Sequence, residues 1–113
     1  MNKVTSISVE DLRSVAERTY SDFVKAVVDT RRGIVVLDAD LHADEEQFLL
    51  EDGSAQDDLW GINLYPDKFR SESFVEFKSL INIRPWQQNR SQSVQDPQTR
   101  NEILSIISEV VHE

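Results

Sequence analysis

Apolar residues change their spacing several times along this chain, and each change marks an element. Leu12, Val15, Ala16 and Thr19/Tyr20 recur at i, i+3, i+4 and i+7/i+8, while Glu10, Arg13, Glu17 and Arg18 point outward, the stripe of a helix lying on a core. The start is marked too. S-V-E-D from Ser8 forms a capping box with Asp11, and Ile7 and Leu12 occupy the N′ and N4 positions of a hydrophobic staple. The pattern predicts a helix over about 9 to 19. Phe23 to Asp29 and Ile34 to Leu37 are instead rich in β-branched residues and flank T-R-R-G, whose Gly33 can take positive φ, so they read as a β-hairpin. The second strand, I-V-V-L, shows no alternation, as for a strand buried on both faces.

Further along, Asp40 is placed to cap a second helix with Leu41, Phe48 and Leu49 as its buried stripe and Asp52-Gly53 as its stop. Leu59 to Tyr65 reads as a strand with Trp60, Ile62 and Leu64 on one face, ending at Pro66. Phe74 to Arg84 alternates, Val75, Phe77, Ile81 and Ile83 against Glu76, Lys78, Asn82 and Arg84, which predicts a strand with one wet face closed by Pro85. Residues 86 to 95 have no apolar period and read as a long polar loop. Asp96-Pro97 then supplies an N-cap and N1 pair for a last helix through Ile103, Ile106/Ile107 and Val110. The order α-β-β-α-β-β-α implies one α+β domain over residues 1–113, a mostly antiparallel four-stranded sheet packed by helices.

Composition changes this picture mainly through charge. The 113 residues fit a single domain of the common size, roughly 100 to 150 residues. With no Cys there is neither a disulfide framework nor a thiolate metal site. The opening M-N-K-V-T-S-I-S-V-E-D has no apolar run of a secretory signal and no stretch is long enough for a membrane span, so the expectation is a cytoplasmic protein without a membrane partner. The net charge of −9 lies in one window. From Gly33 to Pro66 there is no Lys or Arg, and Asp38, Asp40, Asp44, Glu45, Glu46, Glu51, Asp52, Asp57 and Asp58 are all acidic; outside it, acids and bases balance. Such a chain repels duplex DNA, so non-specific nucleic-acid binding is not expected, while a basic protein or a cation is favoured.

L-H-A-D-E-E from Leu41, L-E-D-G-S from Leu50, D-L-W-G-I-N-L-Y-P from Asp58, I-N-I-R-P from Ile81, N-R-S from Asn89 and D-P-Q-T-R from Asp96 occur in this order over nearly the whole chain. Together they make it resemble a family of small prokaryotic proteins classed as a domain of unknown function. The resemblance implies a free-standing bacterial-type domain and carries no activity with it.

Two clusters hold candidate chemistry. Asp38, Asp40, His42 and Asp44, spaced by two, would share a face in an extended segment and could hold a divalent cation. The calcium-loop template fails at Ala43 and Leu49, and the zinc-helix template fails because His112 is the only other histidine. The competing reading is a solvated acidic helix start with His42 bonded locally, and the failed templates favour it. No cofactor is therefore expected, with a divalent cation the exception to test. The second cluster is Arg84, Trp86, Asn89, Arg90, Ser91 and Arg100, in a region without any acid from Phe77 to Gln95, where Arg forks and hydroxyls suit a small anionic ligand. Its competing reading is that the arginines brace the loop or pair with the acidic stretch inside the fold.

Two functions follow. The first is a non-catalytic binding or regulatory domain with an acidic face for a basic protein partner, supported by charge segregation and by the lack of a phosphate loop or nucleophile motif. The alternative is a small hydrolase or nuclease-like enzyme, with His42 and Asp44 or Glu45 as base or metal ligand and Arg84 and Arg90 holding a phosphate. The second requires both poles to meet in one pocket.

Overall fold

The computed structural model describes all residues, 1–113. Helix α1 (Val9–Arg18) starts where the capping box places it, with the Ser8 hydroxyl accepting from the Asp11 amide at 3.0 Å. Strands β3 (Val24–Asp29) and β4 (Ile34–Leu37) form the expected hairpin. Its link is held by the buried Asp29 carboxylate, which accepts from the Arg31 and Arg32 amides and from the Ser54 hydroxyl, and Gly33 takes φ +67°. Helix α2 (His42–Glu51), strand β5 (Leu59–Leu64) and helix α3 (Pro97–Val110) follow, the last capped by Asp96 with Pro97 in its first turn.

One strand that the sequence did not announce, β1 (Asn2–Val4), joins the four expected ones in the main sheet. β1 pairs antiparallel with β4, and β6 (Val75–Glu76) with β5, giving five strands in the order β1-β4-β3-β5-β6. A separate parallel pair, β2 (Ile7–Ser8) with β7 (Val111–His112), ties the entry of α1 to the exit of α3. The domain is thus α+β with five strands in its main sheet rather than four. No helix is long and apolar enough to cross a membrane.

The sheet's first face is apolar. Val24, Ala26, Val28, Val35, Leu37, Trp60, Ile62 and Leu64 pack there against Leu12, Val15 and Ala16 of α1 and Ile103, Ile107 and Val110 of α3. Trp60 is only 6% exposed, as its strand position required. Val36 lies in a second, small cluster with Val27, Leu49 and Leu59 on the opposite face, which explains why I-V-V-L does not alternate.

The expected strand from Phe74 to Arg84 ends after two residues. Val75 and Phe77 reach the first core, Ile81 reaches the second, and Ile83 is exposed, so the alternation does not describe one face. Beyond Glu76 the chain leaves the sheet edge, and the Asn82 side chain takes the place of a neighbouring strand. Its Oδ1 accepts from the Gly61 amide and its Nδ2 donates to the Gly61 carbonyl, each at 2.9 Å. Only glycine permits this approach, because a Cβ at 61 would lie 2.5 Å from Ser79 Cβ.

Candidate functional site

Helix α2 builds the site, and it does so by burying polar residues. Its N-cap is Leu41 rather than the expected Asp40, and no side chain caps it. Leu41 is exposed. The residues facing the sheet are His42, Glu45 and Leu49 at i, i+3 and i+7, in place of the expected stripe through Leu41 and Phe48. His42 places Nε2 2.7 Å from the Ile62 carbonyl. A carbonyl can only accept, so Nε2 carries the proton, and a neutral ring then leaves its Nδ1 lone pair free. Burial pushes the His42 pKa down, the bond to Ile62 opposes that, and the Lys25 charge adds to it, so the imidazole is neutral at pH 7. Burial drives Glu45 up to about 10, offset only in part by the nearby Ala39 backbone and the Lys25 charge. Neither Glu45 oxygen completes a hydrogen bond, and its carboxyl is protonated at neutral pH.

Beside the start of α2 lies a cavity of about 660 Å³ whose floor is the sheet's second face. Three adjacent strands supply that floor in register: Lys25 on β3 stands opposite Asn63 on β5, which stands opposite Glu76 on β6. Asn63 Nδ2 donates to Glu76 Oε1 at 2.8 Å and Tyr65 donates its hydroxyl to the same oxygen at 3.2 Å. Burial, followed by the charge of Glu76, raises the Tyr65 pKa and keeps it a donor. Asn63 Oδ1 is buried and has no partner. The Lys25 ammonium lies 5.0 Å from the Tyr20 ring centroid, and Lys78 and Ser79 complete the polar wall. Phe23, Leu41, Leu80 and Ile81 form the apolar one.

Of the residues expected from the sequence, only His42 lines this cavity. The proposed cation cluster is dispersed. Asp38 takes φ +74° and pairs with Arg18 at 3.0 Å, Asp40 and Asp44 are exposed, and His42 turns into the sheet; no group of three or more His, Cys, Asp or Glu gathers in a way that could hold a metal. Arg84 is 1% exposed, stacked 4.1 Å from the Trp60 ring centroid with one nitrogen on the Gln56 carbonyl, while its Nε and Nη2 lack partners. Burial lowers its pKa against the pull of Glu46 and Asp57. Asn89 is buried and knits the loop, its Nδ2 donating to the carbonyls of Asn82, Ser91 and Ser93. Ser91 accepts from the Ser93 amide, and Arg100 donates to Val94 and Ser93 while lying 4.7 Å from the Phe77 ring centroid. Trp86 and Arg90 are exposed. Asn89 and Arg100 thus brace the loop, Arg84 ties its start to Gln56, Arg90 stays exposed, and His42, Glu45, Arg84 and Arg90 do not share a pocket.

The acidic window is partly consumed as well. Asp38 pairs with Arg18, Asp52 with Lys3 and Arg32, and Asp58 with Arg31, while Glu45 is uncharged. Lys25, Asn63, Glu76 and Lys78 were not singled out in the sequence as site residues, and Tyr65 was considered only as one of several aromatics that could stack. The available signal was a polar residue interrupting an apolar strand, Lys25 in V-K-A-V-V and Asn63 in W-G-I-N-L.

Fold and cavity together define a small α+β domain whose main sheet carries the larger core on one face and, on the other, a smaller core beside a pocket of mixed polar and apolar lining. The chain belongs to the family described as Protein of unknown function (DUF5674), whose model matches residues 3–110. Neither a curated protein nor a solved structure matches it.

Proposed function

We propose that this is a binding domain rather than an enzyme, and that the pocket at the start of α2 receives a small anionic ligand. The observation that carries the reading is the uncapped N-terminus of α2, opening beside Lys25 and Lys78 over a buried Asn63. A helix start offers unpaired amides and partial positive charge, which favour an anion in the first turn. Binding is favoured over catalysis because the pocket pairs no nucleophile with a base. The Ser79 hydroxyl accepts from the Ile81 amide and makes no hydrogen bond with His42. The first function expected from the sequence, an acidic face for a basic protein partner, has weaker support, since much of that window's charge is met inside the fold.

The test is an NMR titration with sodium acetate and sodium phosphate at constant ionic strength, following the His42 and Ala43 amides. Saturable shifts are expected, and Lys25→Met is expected to weaken them about tenfold, the usual order for losing one charge-assisted contact. Shifts that never saturate, or that persist unchanged in Lys25→Met, overturn the reading.

A further inference from the structure

Resting on that reading, we propose that the ligand is a small zwitterion, a free α-amino acid with an apolar side chain. The pocket floor is charged in two senses. Lys25 and Glu76 lie on opposite sides of Asn63, one strand away in each direction. Their backbones are therefore about 10 Å apart, twice the ordinary strand spacing. Side chains of this length can close on a ligand a few ångströms across. The positive side is reinforced, because the Lys25 charge is felt at His42, the first residue of α2, whose free amides share that end of the cavity.

The acceptor side has its own unmet demand. Glu76 Oε1 is taken by Asn63 and Tyr65, while Oε2 makes no hydrogen bond within the protein. Asn63 is 6% exposed, and its Oδ1 is a buried acceptor without a donor. An acceptor left unpaired in a buried position is costly, and Asn63 is one of the residues lining the cavity, so a ligand N–H entering there can satisfy it. An anion alone does not meet this demand; an ammonium group does, donating to Asn63 Oδ1 and Glu76 while a carboxylate lies against Lys25 and the start of α2. The remaining wall accounts for the rest of the molecule. Leu41 and Leu80 are 53% and 72% exposed at the mouth, with Phe23 and Ile81 behind them, a surface suited to an aliphatic side chain.

The experiment separates the two poles with three probes of similar shape: L-leucine, 4-methylpentanoate, which lacks the amine, and 3-methylbutylamine, which lacks the carboxylate. Each is titrated against the wild-type domain and against Glu76→Gln, with the His42, Ala43 and Asn63 amide signals as readout. Leucine is expected to bind tightest, and Glu76→Gln to weaken leucine about tenfold while changing 4-methylpentanoate less than about twofold. Glu76→Gln keeps an acceptor for Asn63 and Tyr65, and its amide spectrum reports whether it is folded; Lys25→Met, expected to weaken leucine and 4-methylpentanoate alike, provides a second arm. If 4-methylpentanoate binds as well as leucine, the zwitterion is wrong and the anion site stands. If the amine binds as well as leucine, or if none of the three binds, both are wrong.

Discussion

The same five strands present two different faces to the rest of the molecule. On the first face, helices α1 and α3 press Leu12, Val15, Ile103 and Ile107 onto Trp60, Ile62 and Leu64, an extended apolar cluster with the buried Arg84 guanidinium stacked on the Trp60 ring. On the second, the buried apolar cluster shrinks to Val27, Val36, Leu49 and Leu59, and the surrounding area is held by His42, Glu45, Asn63 and Asn82. Burial of apolar area is worth about 25 cal/mol per Å², whereas a buried polar group returns little unless every partner is present. The first face therefore supplies stability. The second carries unpaired atoms at Glu45 and Asn63, and it is the side with the pocket. Stability and recognition are assigned to opposite sides of one sheet.

The largest effect should come from breaking the first face. Trp60→Ala is expected to cost about 3 to 5 kcal/mol, the range for a buried large aromatic cut to Ala. It also removes the ring on which the Arg84 guanidinium rests. Urea denaturation measures it, and a loss below about 1 kcal/mol would mean this face is not the main source of stability.

The opposite sign is expected on the second face. The Glu45 pKa is raised from 4.5 to about 10, so the folded state holds a proton that the unfolded chain releases. Stability is then greatest below pH 4.5 and falls as pH rises toward 10. At pH 7 the cost is about 3 kcal/mol, since each unit between 4.5 and 7 is worth about 1.4. Glu45→Gln should recover much of this at pH 7 and flatten the decline above it. His42 works in reverse: its lowered pKa means the unfolded chain takes up a proton first, so stability is lost as pH falls below 6.5. Between pH 4.5 and 6.5 the His42 slope opposes that of Glu45, to which Glu46, also raised by burial, adds. Melting temperatures from pH 5 to 9 check it; a Glu45→Gln protein less stable than wild type at pH 8 would show that the carboxyl is not the strained group.

The contrast between the faces also explains which parts could be read from the sequence. Elements serving the first face announce themselves: the Ser8 capping box, the Asp96-Pro97 start, the hairpin with Gly33, and the alternation of Trp60, Ile62 and Leu64 all place apolar side chains by spacing alone. Elements serving the second face do not. α2 carries its buried stripe as His42, Glu45 and Leu49, so an apolar-spacing rule finds Leu49 and the half-buried Phe48 but misplaces Leu41 and misses the two polar residues, and Asp40 proves not to be the cap. Phe74 to Arg84 fails as a strand because the Asn82 amide, at no fixed spacing from Gly61, replaces the ladder. The short strands β1, β2, β6 and β7 are fixed by their partners, with only two or three residues each to signal them. The cavity itself arises from cross-strand register between Lys25, Asn63 and Glu76, which no local pattern encodes.

A smaller effect tests how closely the second face is fitted. Gly61→Ala brings a methyl to 2.5 Å from Ser79 Cβ and 2.6 Å from its hydroxyl oxygen. Backbone and side chain must both shift, at about 1 to 3 kcal/mol for an overpacked site. The Asn82 hydrogen bonds should loosen with it, visible as faster exchange of the Gly61-equivalent amide relative to those of β3. A neutral substitution with unchanged exchange would mean that the 79–92 segment rests on the sheet without being fixed by it.

The smallest effect concerns the acidic window that wraps the second face. Arg18 and Asp38 pair at 3.0 Å with side chains 56% and 22% exposed, so solvent screens most of their attraction. Arg18→Ala is expected to cost less than about 1 kcal/mol, the range for exposed pairs, and the difference should shrink further between low salt and 0.5 M NaCl. Arg18 is the last residue of α1 and Asp38 follows β4 on the way to α2, so this pair ties the end of a first-face helix to the acidic window. Melts of both proteins at the two salt concentrations decide it. A loss well above 1 kcal/mol that salt does not reduce would mean that the acidic window holds the layers together, and stability could no longer be assigned to the first face alone.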